Sequence, residues 1–302
     1  MGAPLIAARG IVKSYGHVEA LRGADFAVRP GEVVALIGDN GAGKSTLAKI
    51  LSGVERPDTG MIEIDGRPVA FGSVEEARGA GVETVYQDLA LCAELSPSAN
   101  YFLGRERLKP GLLGMLGVLD NAAMRRETRE ACERLGVRLK SETAPVSTLS
   151  GGQRQGVAVA RAVGWARRAV FMDEPTAALG VVQTRRVLDL IRSVRDSGVA
   201  VVLISHNMQD VMAVSDRVEV LRLGRRVARF DTARVSMEEL VGAMTGALEQ
   251  DDPDGRAEGG PGRDAAGADE RAAGPGRDAA VDEAGDGPGR DAAGADEQED
   301  GR

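Results

Sequence analysis

Aromatic residues, cysteines and long apolar runs are scarce in this chain of 302 residues. Its two cysteines, Cys92 and Cys132, are too few and too far apart for a disulfide framework or a metal site, and they suit a reducing compartment. The longest apolar runs, Val33–Ile37 and Val199–Ile204, fall far below the roughly 20 residues that a membrane-spanning helix needs. The N-terminus also lacks the basic and apolar regions of a secretory signal. We therefore expect a soluble chain whose membrane contacts are at most peripheral.

The end of the chain differs sharply in composition from the rest. Residues 249–302 hold 17 acidic side chains against six arginines, and they repeat the sequence PGRDAA at Pro261, Pro275 and Pro288. The preceding residues carry a net charge of +3, although the whole chain carries −8. A segment of Gly, Ala, Asp and Glu cannot bury enough apolar surface to offset the entropy of ordering, so we predict a disordered acidic tail. The alternative is an acidic docking or regulatory tail.

Residues 5–248 alternate between strand and helix signals. Near the N-terminus, apolar and polar residues alternate between glycines, which predicts antiparallel strands, whereas the continuous apolar run at Val33 predicts a strand buried on both faces. From about 96 to 165 the pattern is helical and indicates an inserted helical subdomain. Later apolar runs follow helical stretches, as in the βαβ units of a parallel sheet. The sequence therefore predicts an α/β fold, closed by a helix that starts at the S-x-x-E pair Ser236 and Glu239.

The stretch GDNGAGKST matches the phosphate-loop pattern G-x-x-x-x-G-K-[ST], with a buried strand before it and an amphipathic helix after it. Its glycines let backbone N–H groups wrap phosphates, Lys44 neutralises charge on the β and γ phosphates, and the Ser45 hydroxyl binds Mg²⁺. The alternative is a glycine-rich turn without function. We predict that ATP is bound by Gly38, Asp39, Asn40, Gly41, Ala42, Gly43, Lys44, Ser45 and Thr46.

Two adjacent acids, Asp173 and Glu174, end the later apolar strand AVFMDEP. A carboxylate at the end of a buried strand beside a phosphate loop can hold the water shell of Mg²⁺, and we assign that role to Asp173. Glu174 is then placed to orient and deprotonate an attacking water, so we predict that it is the catalytic base. An ordinary polar strand end explains the pair if it is taken alone, and the phosphate loop favours the functional interpretation.

Two further residues are candidates for the same site, one after an apolar strand and one after an apolar pair that precedes the helical insert. His206 ends the strand VLISH, from which it can reach a γ-phosphate, and we predict a catalytic role for it beside Lys44. The alternative for His206 is a structural or simply exposed histidine. Gln87, in TVYQDLALC, is expected to bind Mg²⁺ or water and to report the nucleotide state to a partner, although alone it resembles any loop glutamine. His17 lies in an N-terminal turn and receives no role.

A second glycine turn, in TLSGGQRQGV, opens a long amphipathic helix far along the chain from the phosphate loop. A helix N-terminus with bare backbone N–H groups is a phosphate site, yet no lysine stands nearby. Together, GDNGAGKST, Gln87, LSGGQ, FMDEPT and His206 resemble, in order and spacing, the motifs of ATP-binding cassette (ABC) ATPases. The resemblance covers nearly all of residues 5–248.

This resemblance implies an ABC-type P-loop NTPase fold, with a RecA-like mixed sheet core, an N-terminal antiparallel β subdomain and the inserted helical subdomain. It implies that the LSGGQ turn completes the nucleotide site of a second subunit in a head-to-tail dimer, which accounts for the missing lysine. It also implies that Tyr15 stacks on adenine, to which an aromatic face is suited; the alternative is a strand aromatic packed in the core. The residues implied to act on the partner's ATP are Leu149, Ser150, Gly151, Gly152 and Gln153.

Finer details resemble the ATP-binding subunits of monosaccharide importers for ribose, galactose, xylose or fructose. These details are the stretches VYQDLALCAELS, NYFLGRE, DEPTAALGV and ISHNM, and a single phosphate loop with a single LSGGQ resembles the short, single-cassette form. Gly180 departs from the wider family, in which an aspartate usually follows this leucine, although TAALG is frequent in the importer class. Because glycine has no carboxylate, any contact made there between the two nucleotide sites must use the backbone.

We therefore expect the ATP-hydrolysing subunit of an ABC importer for a monosaccharide, in which ATP binding closes a dimer and hydrolysis resets it. The expected cofactors are ATP and Mg²⁺, with Ser45, Gln87 and, through water, Asp173 as metal ligands. Expected partners are transmembrane permease subunits, docked around Gln87 and the helical subdomain, a second copy or second ATP-binding subunit, and indirectly an extracytoplasmic sugar-binding protein. The chain is expected to be cytoplasmic and peripheral on the inner face of the cell membrane.

Three alternatives stay open. The first is a nucleotide-binding protein that has lost its activity, which the intact set of predicted catalytic residues opposes. An ABC exporter subunit shares every catalytic motif, and only the stretches YQDLALC and FLGRE argue against it. A soluble ABC ATPase that acts on ribosomes or DNA usually has a second cassette, a long coiled coil or a basic patch. A core with a net charge of +3 and a short helical insert lacks these features, so no nucleic-acid partner is expected.

Overall fold

Two β-sheets organise residues 3–139, 141–177 and 179–248, the part of the chain that this computed structural model describes. The smaller sheet is antiparallel, with strand order β2-β1-β4-β5. Its strands are β1 Ile6–Tyr15, β2 Val18–Val28, β4 Thr59–Ile64 and β5 Arg67–Val69. The antiparallel N-terminal strands expected from the alternating sequence are therefore confirmed.

The larger sheet is mixed, with strand order β10-β9-β3-β8-β7-β6, and only β10 runs antiparallel to its neighbour. Its strands are β3 Val33–Ile37, β6 Val82–Val85, β7 Ala169–Asp173, β8 Ala200–Ile204, β9 Arg217–Arg222 and β10 Arg225–Asp231. Strands β3 and β8 are buried along their whole length, as continuous apolar runs predict. Because parallel strands end at the same edge of a sheet, the residues that follow β3, β7 and β8 lie side by side.

Helices cover the sheets and form the insert. The helices of the described residues are α1 Lys44–Leu51, α2 Val74–Gly79, α3 Pro97–Tyr101, α4 Leu112–Met115, α5 Asn121–Arg134, α6 Gly151–Trp165, α7 Val181–Asp196, α8 Met208–Val214 and α9 Met237–Thr245. Each falls short of the length and apolar character that a membrane span requires. Ser236 and Glu239 form the expected capping box of α9.

Three of the chain's few aromatic residues lie together in the helical insert. The rings of Tyr101, Phe102 and Trp165 lie between 5.0 and 6.0 Å apart, and the Trp165 indole donates a hydrogen bond to the Tyr101 carbonyl at 3.0 Å. Helices α3, α5 and α6 pack on one another, and α6 also packs against β6. Helix α6 therefore connects the insert with the larger sheet.

Two sequence expectations fall outside the described residues. These are the disordered acidic tail, residues 249–302, and Ala178 in the run TAALG. The described part of the chain ends at Leu248, whose backbone N–H donates to the Gly242 carbonyl in α9 at 3.1 Å.

Candidate nucleotide site

The loop between β3 and α1 has a backbone that requires glycine. Gly38 has a φ of 149°, and a Cβ there would lie 2.1 Å from the Leu221 carbonyl oxygen. Gly43 has a φ of 102° and stands at the N-cap of α1, where no side chain caps the helix. The first N–H groups of a helix have no partner within it, so donors at the start of α1 are available to a ligand. This is the backbone arrangement of a phosphate site.

Lys44, the first residue of α1, lies across this loop. Its Nζ donates hydrogen bonds to the carbonyl oxygens of Gly38 and Asp39, at 2.7 and 2.9 Å. Burial lowers the pKa of Lys44, and the carboxylates of Glu174, Asp173 and Asp39 oppose that shift. The two acids at the end of β7 therefore face the phosphate loop, as the sequence predicted from their positions.

Asp173 ends β7 next to the first turn of α1. Burial raises its pKa, and the neighbouring Glu174 carboxylate adds to this effect; a hydrogen bond from Ser45 and the charges of Lys44 and Lys49 oppose it. Ser45, Gln87 and Asp173 line one cavity of about 460 Å³. Their hydroxyl, amide and carboxylate oxygens are the hard ligands that Mg²⁺ prefers, and Mg²⁺ is usually held by one or two carboxylates together with substrate phosphates. The residues present therefore fit this ion.

Glu174 forms a close pair with His206 across the ends of β7 and β8. Glu174 Oε1 accepts the backbone N–H of His206 at 3.1 Å and lies 2.7 Å from His206 Nδ1. The Glu174 side chain is 14% exposed and that of His206 is 75% exposed. The histidine, which the sequence placed near a γ-phosphate, thus contacts the predicted base directly and is open to a ligand on its outer side.

The backbone of Glu174 is strained. Its φ is +52°, a region that side chains with a Cβ seldom adopt. Its N–H donates to the Ile204 carbonyl at the end of β8, at 2.9 Å, and its own carbonyl accepts Nε2 of Gln155 at 3.0 Å. Sequence reasoning missed Gln155. The available signal was a glutamine on the otherwise apolar, buried face of α6, where it is 4% exposed.

Tyr15 lies at the exposed end of β1 and is 44% exposed, so the alternative of a core aromatic is wrong. Its hydroxyl donates to the Glu55 carboxylate and is also hydrogen-bonded to Thr46 in the first turn of α1. Burial of the phenol and then the Glu55 carboxylate raise the pKa of Tyr15 to about 12. The ring therefore lies beside the helix that follows the phosphate loop, where a nucleotide base can stack on it.

The second glycine turn begins α6. Ser150 is the N-cap, with a reciprocal capping box between its side chain and that of Gln153, and Leu149 anchors the turn at 7% exposure. The Gln153 side chain also donates to the Arg138 carbonyl at 2.9 Å. A Cβ added to Gly151 would meet nothing within 4 Å. The turn is thus held by residues of the helical insert, and its outer face is open.

Gly180 is the N-cap of α7, where no side chain accepts a hydrogen bond from the helix. The two residues that follow it, Val181 and Val182, are exposed. Neither feature supplies a charged group at the position where the wider ABC family usually has an aspartate.

Comparison with known proteins places these features in context. A family model described as ABC transporter matches residues 21–177. The chain is 52% identical over 248 residues to the fructose import ATP-binding protein FrcA of Rhizobium meliloti, with 82% of this chain and 95% of that protein covered. It is 43% identical over 241 residues to the xylose/arabinose import ATP-binding protein XylG of Sulfolobus acidocaldarius, with 80% and 94% covered. It is 45% identical over 256 residues to the ribose import ATP-binding protein RbsA 1 of Rubrobacter xylanophilus, with 84% of this chain but 50% of that longer protein covered.

Solved structures share the architecture. The dimeric, post-hydrolysis structure of the ATP-binding cassette MJ0796 bound to ADP and Pi superposes with a TM-score of 0.66 at 22% identity, covering 75% of this chain and 98% of that chain. A structure described as the ATP-binding subunit of an ABC transporter gives a TM-score of 0.66 at 24% identity, covering 80% and 99%. At these identities the likeness establishes the fold.

Proposed function

The chain belongs to the ABC transporter family, and from that premise we propose that it is the ATP-hydrolysing subunit of a monosaccharide importer. The sugar class is supported by relatives named for the import of fructose, ribose and xylose/arabinose. The observation that carries the enzymatic part is the pair of Glu174 and His206, 2.7 Å apart. Glu174 adjoins Asp173 and lies within electrostatic reach of Lys44.

In this proposal the phosphate loop binds the ATP phosphates. Backbone N–H groups of the loop and of the first turn of α1 wrap the phosphate oxygens, and Lys44 exchanges its two carbonyl contacts for the β and γ phosphates. Ser45, Gln87 and, through water, Asp173 hold Mg²⁺. When bound, Mg²⁺ neutralises charge on the β and γ oxygens. The adenine then stacks on Tyr15.

Glu174 acts as the general base in this proposal. Its carboxylate orients the attacking water and takes the water's proton. His206 contacts Glu174 through Nδ1, which leaves Nε2 to face an oxygen of the γ-phosphate. The hydrogen bonds to the Glu174 backbone support this role, because they fix the base in one orientation.

We propose that two copies, or this chain and a second ATP-binding subunit, dimerise head to tail. The turn Leu149–Gln153 of one subunit then covers the γ-phosphate held by Lys44 of the other. The open face at Gly151 supports this arrangement, because phosphate oxygens can approach a helix N-terminus there without meeting a Cβ.

The helical insert is the proposed dock for the transmembrane permease, together with the region around Gln87. Exposed apolar side chains are concentrated in the insert, and such patches mark interaction surfaces; they include Leu103, Leu108, Leu112, Leu113, Met115 and Leu116. The chain would then work at the inner face of the membrane. An extracytoplasmic sugar-binding protein would act on the permease, and the sugar itself would not touch this chain.

The substitution Glu174→Gln tests the proposal. We expect it to lower kcat for ATP hydrolysis by roughly 10²- to 10⁴-fold, the usual contribution of a general base. ATP binding should persist, because the phosphate loop is intact, and the bound ATP should trap a dimer that size-exclusion chromatography resolves from the monomer. The exposed Glu238 on α9, outside the helical insert, provides the control, since Glu238→Gln should keep normal turnover.

Near-normal hydrolysis by Glu174→Gln would remove Glu174 as the base. In cells, the same variant should abolish uptake of the transported monosaccharide while Glu238→Gln sustains it. Loss of ATP hydrolysis without loss of uptake of any pentose or hexose would contradict the importer assignment but not the ATPase assignment.

A further inference from the structure

Gln155 is a buried amide on the inner face of α6. The side chains that share this face of the helix, Ala158, Val159 and Ala162, are apolar and buried, so a glutamine here must find a hydrogen-bond partner or lose stability. Its Nε2 donates to the main-chain carbonyl of Glu174 at 3.0 Å. A core side chain of one helix therefore holds the peptide of the proposed catalytic base.

That peptide needs external support. Glu174 has a φ of +52°, and such backbone persists only where its surroundings fix it. Three hydrogen bonds do so: its N–H donates to the Ile204 carbonyl, and its carbonyl accepts the amide of Gln155 and, at 3.3 Å, the N–H of Ala177. The Ala177 bond is local to the same turn. Gln155 is therefore the contact that connects this turn with α6.

The position of Gln155 along α6 gives the contact its significance. The helix begins at Gly151, within the turn Leu149–Gln153 that is proposed to cover the partner's ATP. Gln155 follows one helical turn later, about 6 Å along the axis at 1.5 Å per residue. The capping box of Ser150 and Gln153 makes this first turn a well-formed part of the helix. A shift of the turn toward a bound phosphate therefore carries Gln155 with it.

Resting on the function proposed above, we propose that Gln155 is a positioning residue for Glu174, and that it makes the placement of this base depend on the ATP bound at the other site of the dimer. In a head-to-tail dimer, the turn on α6 of one copy touches the ATP held by its partner. Gln155 on that same α6 holds the Glu174 that acts on the copy's own ATP. The contact thus links the two sites through an uncharged hydrogen bond to the main chain of Glu174. Such a link does not need the carboxylate that Gly180 lacks.

The substitution Gln155→Met tests the positioning role, because methionine keeps the length of the side chain and removes the donor. With the full chain, we expect kcat to fall by roughly 10- to 100-fold, since small displacements of a catalytic group cost rates of this order. KM and the Kd for ATP should stay at their wild-type values, because the phosphate loop is untouched. Val159→Ala, at a fully buried position of the same helix, is the matched control: it should lower Tm without this selective loss of kcat.

A variant that combines Gln155→Met with Glu174→Gln separates positioning from a structural role. If Gln155 acts only through Glu174, the double variant should trap the ATP-bound dimer as fully as Glu174→Gln alone, because the turn Leu149–Gln153 is intact. Failure to trap the dimer, or wild-type kcat in Gln155→Met, would overturn the inference. A wild-type chain without ATPase activity would instead overturn the proposed function.

Mixed dimers with two affinity tags test the link between the sites. One copy carries Ser150→Arg, which blocks the site that this turn covers, and the other copy is wild type. Independent sites would leave half of the wild-type turnover, whereas the proposed link predicts clearly less than half, because α6 of the altered copy no longer responds to ATP. Adding Gln155→Met to the altered copy should then cause a smaller fold-loss than it causes in the wild-type dimer. Half activity, or an equal fold-loss, would contradict the link.

Discussion

The two glycine turns of this protein differ in what requires their glycines. In the phosphate loop, Gly38 has a positive φ of 149°. It also leaves no room for a side chain, because an added Cβ would lie 2.1 Å from the Leu221 carbonyl oxygen. In the turn before α6, Gly151 has an ordinary φ, and a Cβ there would meet no neighbour within 4 Å. The fold of the chain accounts for the first glycine and does not account for the second.

This difference reflects two kinds of binding site. The phosphate loop has its charged groups within the same chain, whereas the turn Leu149–Gln153 supplies only part of a site. The phosphate loop has its cation, Lys44, and its carboxylates, Asp173 and Glu174, within the same chain. The turn Leu149–Gln153 has a helix N-terminus and an open face, and within the described part of the chain its hydrogen bonds go to its own insert. A glycine kept free of a Cβ on an open face is explained by an approaching ligand, which supports a phosphate held by a partner chain.

The largest expected effect is on the phosphate loop. Gly38→Ala should destabilise the fold by several kcal/mol, combining about 1–3 kcal/mol for the backbone conformation with about 1–3 kcal/mol for overpacking against Leu221. Thermal unfolding should show a fall in Tm on the order of 10 °C, together with a loss of ATP binding. Gly79→Ala in α2, where a Cβ meets nothing, is the control and should leave Tm unchanged or slightly higher. An equal Tm for both variants would contradict the proposal that the fold requires glycine at position 38.

The second turn should respond in the opposite way. Gly151→Ala should keep or slightly raise Tm, because alanine is a better helix former than glycine by up to about 1 kcal/mol. Hydrolysis should fall by about 10²-fold, the order seen when a transition-state hydrogen-bond donor is lost, since the new Cβ stands where the partner's phosphate is proposed to bind. The comparison to make is Tm against kcat for the same preparation. A normal kcat would contradict the shared-site proposal.

The third prediction concerns Asp173, the acid beside the phosphate loop. Because burial and Glu174 raise the pKa of Asp173, its ionised form destabilises the fold without nucleotide or Mg²⁺. Asp173→Asn should therefore raise Tm at neutral pH, while Mg²⁺-dependent hydrolysis is lost. The gain in Tm should shrink as the pH falls toward the usual range of a carboxyl group, where Asp173 becomes protonated and neutral like the asparagine. A gain that does not change with pH would show that the charge is not its cause.

Much of the fold was predictable because its signals are local. The buried strands β3 and β8 and the capping box of α9 all follow from consecutive residues. Sequence reasoning missed the short elements α2, β6 and α8, which span only four to seven residues. Such elements hold one or two periods of an apolar pattern, too few to distinguish a helix or strand from a loop.

The candidate site likewise has features that follow from consecutive residues and contacts that depend on the tertiary structure. The sequence by itself determined the phosphate loop, because strand, glycines, lysine and helix are contiguous and their chemistry needs only local backbone. The tertiary structure alone decided that Glu174 meets His206, that Ser45 meets Asp173 and that Gln155 holds the Glu174 carbonyl. These contacts depend on β7, β8 and β3 lying in that order, and on α6 packing beneath the end of β7. Periodicity reports which face of an element is buried, whereas the order of strands and the packing of helices decide which buried faces meet.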